Sequence, residues 1–185
     1  MAFRLQWHAA GNVSFLRESW PLINASAAFW ASRLVRHASG NFTVLGVVGP
    51  DEPAGVVDHD VYTNAVASQT IRFAADAAAV LKHQELPAEW LTKAAAPFLP
   101  LSTRLADSNG AHVHPEYAAY TGGRSDCCVT GPGPGKDKCC VEQSATGLLQ
   151  YPLGLPMPEA IKRNDLSYCK MAPLARFVAL AVSLS

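Results

Sequence analysis

Residues 47–65 read VVGPDEPAGVVDHDVYTNA, and their interpretation decides the rest of the chain. Two valines lead into Gly49-Pro50, Asp51 and Glu52 stand side by side, and Pro53 follows at once. Glycine and proline interrupt regular structure, so the two acids sit on a stiff turn. A helix-compatible run begins near Tyr62. Adjacent acids in such a place are either solvated or hold one carboxyl group where its proton can be controlled.

Helical periodicity surrounds this turn. Ala67, Ile71, Ala74, Ala78 and Leu81 recur at alternating steps of four and three, which predicts a helix over 61–82. Upstream, Leu22, Ile23, Ala27, Trp30 and Leu34 share one face, predicting a helix from Pro21 to the Ser39-Gly40 stop. The β-branched stretch NFTVLGVVG, residues 41–49, suits a short extended piece. LPAEWLTKAAAP, residues 86–97, predicts a third helix opened near Pro87 and stopped before Pro97. PEAIKRNDLSYC, residues 158–169, predicts a short amphipathic one. Residues 98–140 are mostly irregular, and TGPGPGKDK within them suits neither a helix nor a central strand. The pattern is a mainly helical chain with long loops.

Composition narrows the classes of function. Of 185 residues, 49% are apolar and 16% charged, which specifies a folded chain with a core. Fifteen basic residues balance fifteen acidic ones, so no charge excess points to nucleic acid or an anionic membrane surface. No run reaches the roughly 20 apolar residues of a membrane span. The start, MAFRLQWHAAGNVSF, does not read as a signal peptide, and the apolar end, MAPLARFVALAVSLS, reads as a helix seeking a core. Asn12, Asn24 and Asn41 head N-x-S/T triplets, a lean toward a secretory or vacuolar route. The five cysteines, Cys127, Cys128, Cys139, Cys140 and Cys169, are an odd set for a closed disulfide framework, and adjacent pairs lack the C-x₂₋₄-C spacing of zinc sites.

Several blocks taken together resemble glycoside hydrolase family 65, which includes maltose, trehalose and kojibiose phosphorylases, acid trehalases and the glucosidase of glucosylgalactosyl-hydroxylysine. The most specific is GVVGPDE, residues 46–52, followed by VYTNAVA, residues 61–67. AAGNVSFLRESWPLINASAAFWASRL, residues 9–34, is similar to the helix pair before that motif. HPEYAAYTG at 114–122, VEQSATGLLQYPL at 141–153 and IKRNDLSYC at 161–169 follow in the family's order. The resemblance covers about residues 5–169, with an insertion near 124–140, and residues 170–185 are unmatched.

The resemblance implies an all-α fold, part of an (α/α)6 barrel with long interhelical loops, and an inverting mechanism on an α-glucosidic bond. Glu52 would be the general acid. It must be protonated when it meets substrate, so Val47, Val48 and Asp51 are expected to surround it and keep it neutral. Asp51 would orient the turn or cap a backbone group. Gln143 matches a glutamine that contacts glucose hydroxyls. Asn64 is expected either to bind a sugar hydroxyl or to hold the helix start. The substrate class is an α-glucoside, and no cofactor or metal is implied.

Departures from the pattern are equally specific. Pro53 stands where the family usually has Tyr, Glu142 where it has Lys, and Ala145 where it has Asp. The segment supplying the general base or the phosphate site, the upstream Trp-Asp motif and the N-terminal β-sandwich are not seen. The alternative is therefore a truncated, non-catalytic relative that binds sugar or a partner chain, with missing segments or self-association completing its surface. His112, His114 and Glu116 spell H-x-H-x-E, a metal-like string that the family's His-Pro-Glu-Tyr loop explains better. Trp30 and Trp90, at helical spacing, read as core rather than as sugar platforms.

Overall fold

The computed structural model describes residues 2–105, 110–121 and 143–171. Expectations for the cysteine-containing insertion, for Glu142 and for the tail beyond 171 lie outside them. The chain divides into two compact units, one of Met1–Leu45 with Thr63–Phe98 and one of Gly46–Tyr62 with Leu99–Ser185. The first is built mainly from helices, and the described residues of the second are mostly loop around two short strands and two helices. Among the described residues, no helix is long and apolar enough to cross a membrane.

In the first unit, α1 spans Ala2–Ala10 and α2 spans Val13–Arg33. The side chain of Asn12 accepts from the backbone N–H of Phe15 at 3.1 Å and so satisfies one of the open donors of α2. The expected start at Pro21 is thus corrected: Pro21 lies inside the helix. The expected end is corrected too. Leu34 closes α2, and Val35–Arg36 (β1) pairs antiparallel with Phe42–Thr43 (β2) instead of continuing to Ser39. Leu16, Ile23, Ala27 and Ala31 form the buried face, whereas Leu22, expected on it, is 56% exposed.

α3, Val61–Leu81, matches the periodic expectation closely. Ala67, Ile71, Ala74 and Ala78 are buried, together with Ala65, Phe73 and Ala77. Small side chains around so wide an arc let neighbouring backbone approach closely. α4, Ala88–Ala95, begins after Pro87 as expected. Its last carbonyls are satisfied from α3: Ser68 Oγ donates to Ala94 O at 2.6 Å, and Arg72 Nε donates to the same oxygen at 3.2 Å. Lys93 donates to Ala31 O at 2.9 Å, near the end of α2, and pairs with Glu89 at 2.8 Å.

The second unit opens with a minimal hairpin. Val47–Val48 (β3) pairs antiparallel with Val56–Val57 (β4), in the register Val47↔Val57 and Val48↔Val56. Val113 is bridged to Ser102 by two backbone hydrogen bonds of 2.8 and 3.0 Å and packs with Leu105 and Tyr168. α5 is a single turn, Ala145–Leu148, and α6 spans Glu159–Met171.

Candidate active site

The loop of the β3–β4 hairpin carries the Gly-Pro-Asp-Glu motif. Within it, Glu52–Ala54 forms one 3-10 turn. Asp51 O accepts from Ala54 N at 3.1 Å, and Glu52 O accepts from Gly55 N at 2.9 Å. Gly55 takes φ +70°, a left-handed conformation that glycine adopts without a Cβ penalty. Gly49 is needed for a different reason. A Cβ there would lie 2.9 Å from Asp60 Cγ and closer still to Asp60 Oδ2, so the buried Asp60 carboxylate packs directly on its backbone.

The expected environment of Glu52 is corrected. Its side chain is exposed, and Val48 points outward with 57% exposure. The buried acid of the pair is Asp51, at 6%. Neighbouring sequence positions on a tight turn point in different directions, so an apolar neighbour along the chain is no guarantee of an apolar neighbour in space.

Asn64 lies in the other unit and is fully buried. Its Oδ1 accepts from Val44 N at 2.8 Å and from Thr43 Oγ1 at 3.2 Å, and its Nδ2 donates to Phe98 O at 2.9 Å. These contacts hold the β2 segment and the strand-like stretch after α4 against α3. Of the two roles expected for Asn64, neither a sugar hydroxyl nor the helix start matches these partners.

Gln143 is exposed and immediately precedes Ser144, the N-cap of α5. Ser144 Oγ accepts from Gly147 N at 3.0 Å and donates to Glu116 Oε1 at 2.6 Å. The other oxygen of Glu116 accepts from Thr146 N at 3.2 Å. Glu116 is 2% exposed. Burial is the main force on its carboxyl, pushing its pKa up to about 7. Hydrogen bonds from Ser144 and from the Thr146 and Ala145 N–H groups oppose that shift, while the charge of Asp51 adds to it. Burial likewise raises the Tyr117 and Tyr120 hydroxyls, with Asp51 and Glu116 contributing.

Beside it, His114 Nδ1 meets Asp165 Oδ2 at 2.8 Å, and Asp165 Oδ1 accepts from His114 N at 2.9 Å. Asp165 is fully buried. His114 and Glu116 are therefore committed to different partners, and no set of three metal-ligating side chains occurs among the described residues. Sequence reasoning placed Glu116 in a matching loop but assigned it nothing. No sequence signal marks its burial, since a loop glutamate is ordinarily solvent-exposed and its partners Ser144 and Thr146 lie far along the chain.

Residues 1–121 match the model of the glycosyl hydrolase family 65 central catalytic domain, and the chain belongs to that family. It is 32% identical over 169 residues to the protein-glucosylgalactosylhydroxylysine glucosidase of Gallus gallus, covering 90% of this chain and 21% of that protein. It is also 32% identical over 151 residues to the kojibiose hydrolase of Mucilaginibacter mallensis, covering 82% of this chain and 19% of that protein. The chain thus spans about a fifth of the length of these curated relatives.

Proposed function

We propose that the chain carries the general-acid half of an inverting α-glucosidase site, with Glu52 delivering the proton to the departing glycosidic oxygen and Gln143 contacting glucose hydroxyls. The observation that carries this reading is the motif itself: Glu52 follows Asp51 on a hydrogen-bonded 3-10 turn, within the segment that matches the family's catalytic domain. A proton donor has to reach its substrate, and an exposed carboxyl on a fixed turn can do so. Enclosure then comes from the sugar and from whatever covers the turn, since a docked pyranose ring strips water from the groups it touches. Partial (α/α)6 barrel architecture belongs to the same proposal. So does the substrate class, an α-glucoside such as kojibiose or a glucosylgalactosyl-hydroxylysine unit, taken from the names of the relatives. Hydrolysis is favoured over phosphorolysis because both of those relatives are named as hydrolysing enzymes.

The experiment is to incubate the chain with kojibiose, trehalose, maltose and a glucosylgalactosyl-hydroxylysine peptide, with and without phosphate. Glucose release without phosphate, reduced roughly 10²–10⁴-fold in Glu52→Gln, is the expected result. Equal rates in the variant would remove Glu52 from the mechanism. The exposure of Glu52 favours one second reading, a non-catalytic relative that only binds sugar. Binding of kojibiose without turnover would establish that reading instead.

A further inference from the structure

Residues 114–118 make contacts in two directions within the second unit. Toward the acid turn, the backbone carbonyl of Glu116 accepts from Val61 N at 3.1 Å, and Ala118 N donates to Asp58 O at 3.3 Å. Val61 is the first residue of α3, and Asp58 directly follows the β4 strand that closes the Glu52 turn. Asp58 in turn accepts from Gly46 N at 2.8 Å, at the other foot of the same hairpin. Toward the Gln143 segment, the Glu116 carboxyl accepts from Ser144 Oγ and Thr146 N, and His114 O accepts from Thr146 Oγ1 at 3.0 Å.

From this arrangement we infer that Glu116 is a positioning residue, a strut that sets the Gln143 segment and the Glu52 hairpin relative to one another. The inference rests on the proposed roles of Glu52 and Gln143 for its meaning, but not for its test. Ser144 is the link: its hydroxyl has one proton, given to Glu116, and its oxygen then caps Gly147 N. Loss of the acceptor removes that hydrogen bond one residue from Gln143.

The charge state of Glu116 controls how firmly the strut holds. An anion accepts both hydrogen bonds strongly, while a neutral carboxyl keeps one good acceptor oxygen. The groups bearing on it are Asp51 from the acid turn, the Tyr117 and Tyr120 hydroxyls from its own loop, and the Ser144 and Thr146 donors from α5, with the His114–Asp165 pair linking the same loop to α6. Burial nevertheless outweighs those bonds and holds the carboxyl pKa near 7, so ionisation is disfavoured in the closed arrangement and the segment is expected to loosen as pH rises through that range.

The test is backbone amide NMR of the full chain from about pH 5.5 to about 8.5, bracketing the shifted carboxyl. The Thr146, Gly147 and Gln143 amides should move sigmoidally with one shared midpoint. Glu116→Gln, which keeps the shape and an acceptor, should abolish that movement while the His114 amide stays in place, and Ser144→Ala should remove it from Gln143 and Gly147 alone. No shared titration in the wild type, or its persistence in Glu116→Gln, overturns the inference. So does titration of Thr146 and Gly147 with Gln143 unmoved. Adding kojibiose at fixed pH forms a separate arm: an unperturbed Gln143 signal counts against its sugar role and leaves the strut standing.

Discussion

The side-chain oxygen of Asn64 accepts the backbone N–H of Val44 at 2.8 Å, while its amide nitrogen donates to Phe98 O at 2.9 Å. One buried amide thereby adds a bond to each of two segments that also pair with each other through Phe42 N to Ala96 O and Phe98 N to Phe42 O. Asn64→Ala should remove the acceptor of Val44 N and a donor to Phe98 O and cost roughly 2–4 kcal/mol in denaturant unfolding. Asn64→Asp should be at least as damaging, because a carboxylate cannot donate to Phe98 O. A loss below about 0.5 kcal/mol for the alanine variant would show that water reaches both groups.

Gly49 is expected to tolerate no side chain. A methyl group would collide with the Asp60 carboxylate, which is buried and held in place. Gly49→Ala should destabilise by about 1–3 kcal/mol, as overpacking does elsewhere. The double variant Gly49→Ala/Asp60→Ala should recover part of that loss if the collision is the cause, and thermal melts of the four species measure it.

Lys82 ends α3 with φ +56°, a conformation that costs an L-residue energy. Its N–H donates to Ala79 O at 3.2 Å and the His83 N–H to Ala78 O at 2.9 Å, the paired bonds that usually accompany glycine at this position. Lys82→Gly should therefore raise stability by roughly 0.5–1 kcal/mol, net of the extra freedom glycine gives the unfolded chain. A lower melting temperature would refute the strain argument.

Glu116 gives the fold a pH dependence of definite sign. Its carboxyl pKa lies near 7 in the folded chain and near 4.5 when free, so folding favours the protonated form. The stability this provides is fully present below pH 4.5 and is lost as pH rises toward 7, a span worth about 3 kcal/mol. Urea unfolding should show the wild type losing that much more than Glu116→Gln over the interval. Parallel curves for the two proteins would mean the carboxyl ionises normally.

Much of the helical order was legible because its cause is local. Alternating three- and four-residue steps of Ala and Ile define α3, and Pro87 and Pro97 bracket α4. The start of α2 was misjudged at Pro21, since proline favours a first turn while Asn12, the true cap, was read only as a sequon head. Leu22 is adjacent to Ile23, so in a helix only one of the two could share the buried face with Ala27 and Ala31. Burial around the acid turn was not legible, because it depends on which way each side chain leaves a 3-10 turn and on what packs against it. That is why the enclosure expected at Glu52 falls on Asp51, and why Glu116 carried no assignment before its partners at Ser144 and Thr146 were in view.

The carbonyl that receives Val61 N belongs to a residue translated much later than the hairpin it steadies. A ribosome would release the whole glutamate loop, and most of α3, before that latch exists. Amide exchange at Val61 should therefore be fast in nascent chains stopped after α4 and slow once residues 114–118 have emerged. The acid-bearing turn of this chain would set only once that later loop has emerged, well after its own residues are made.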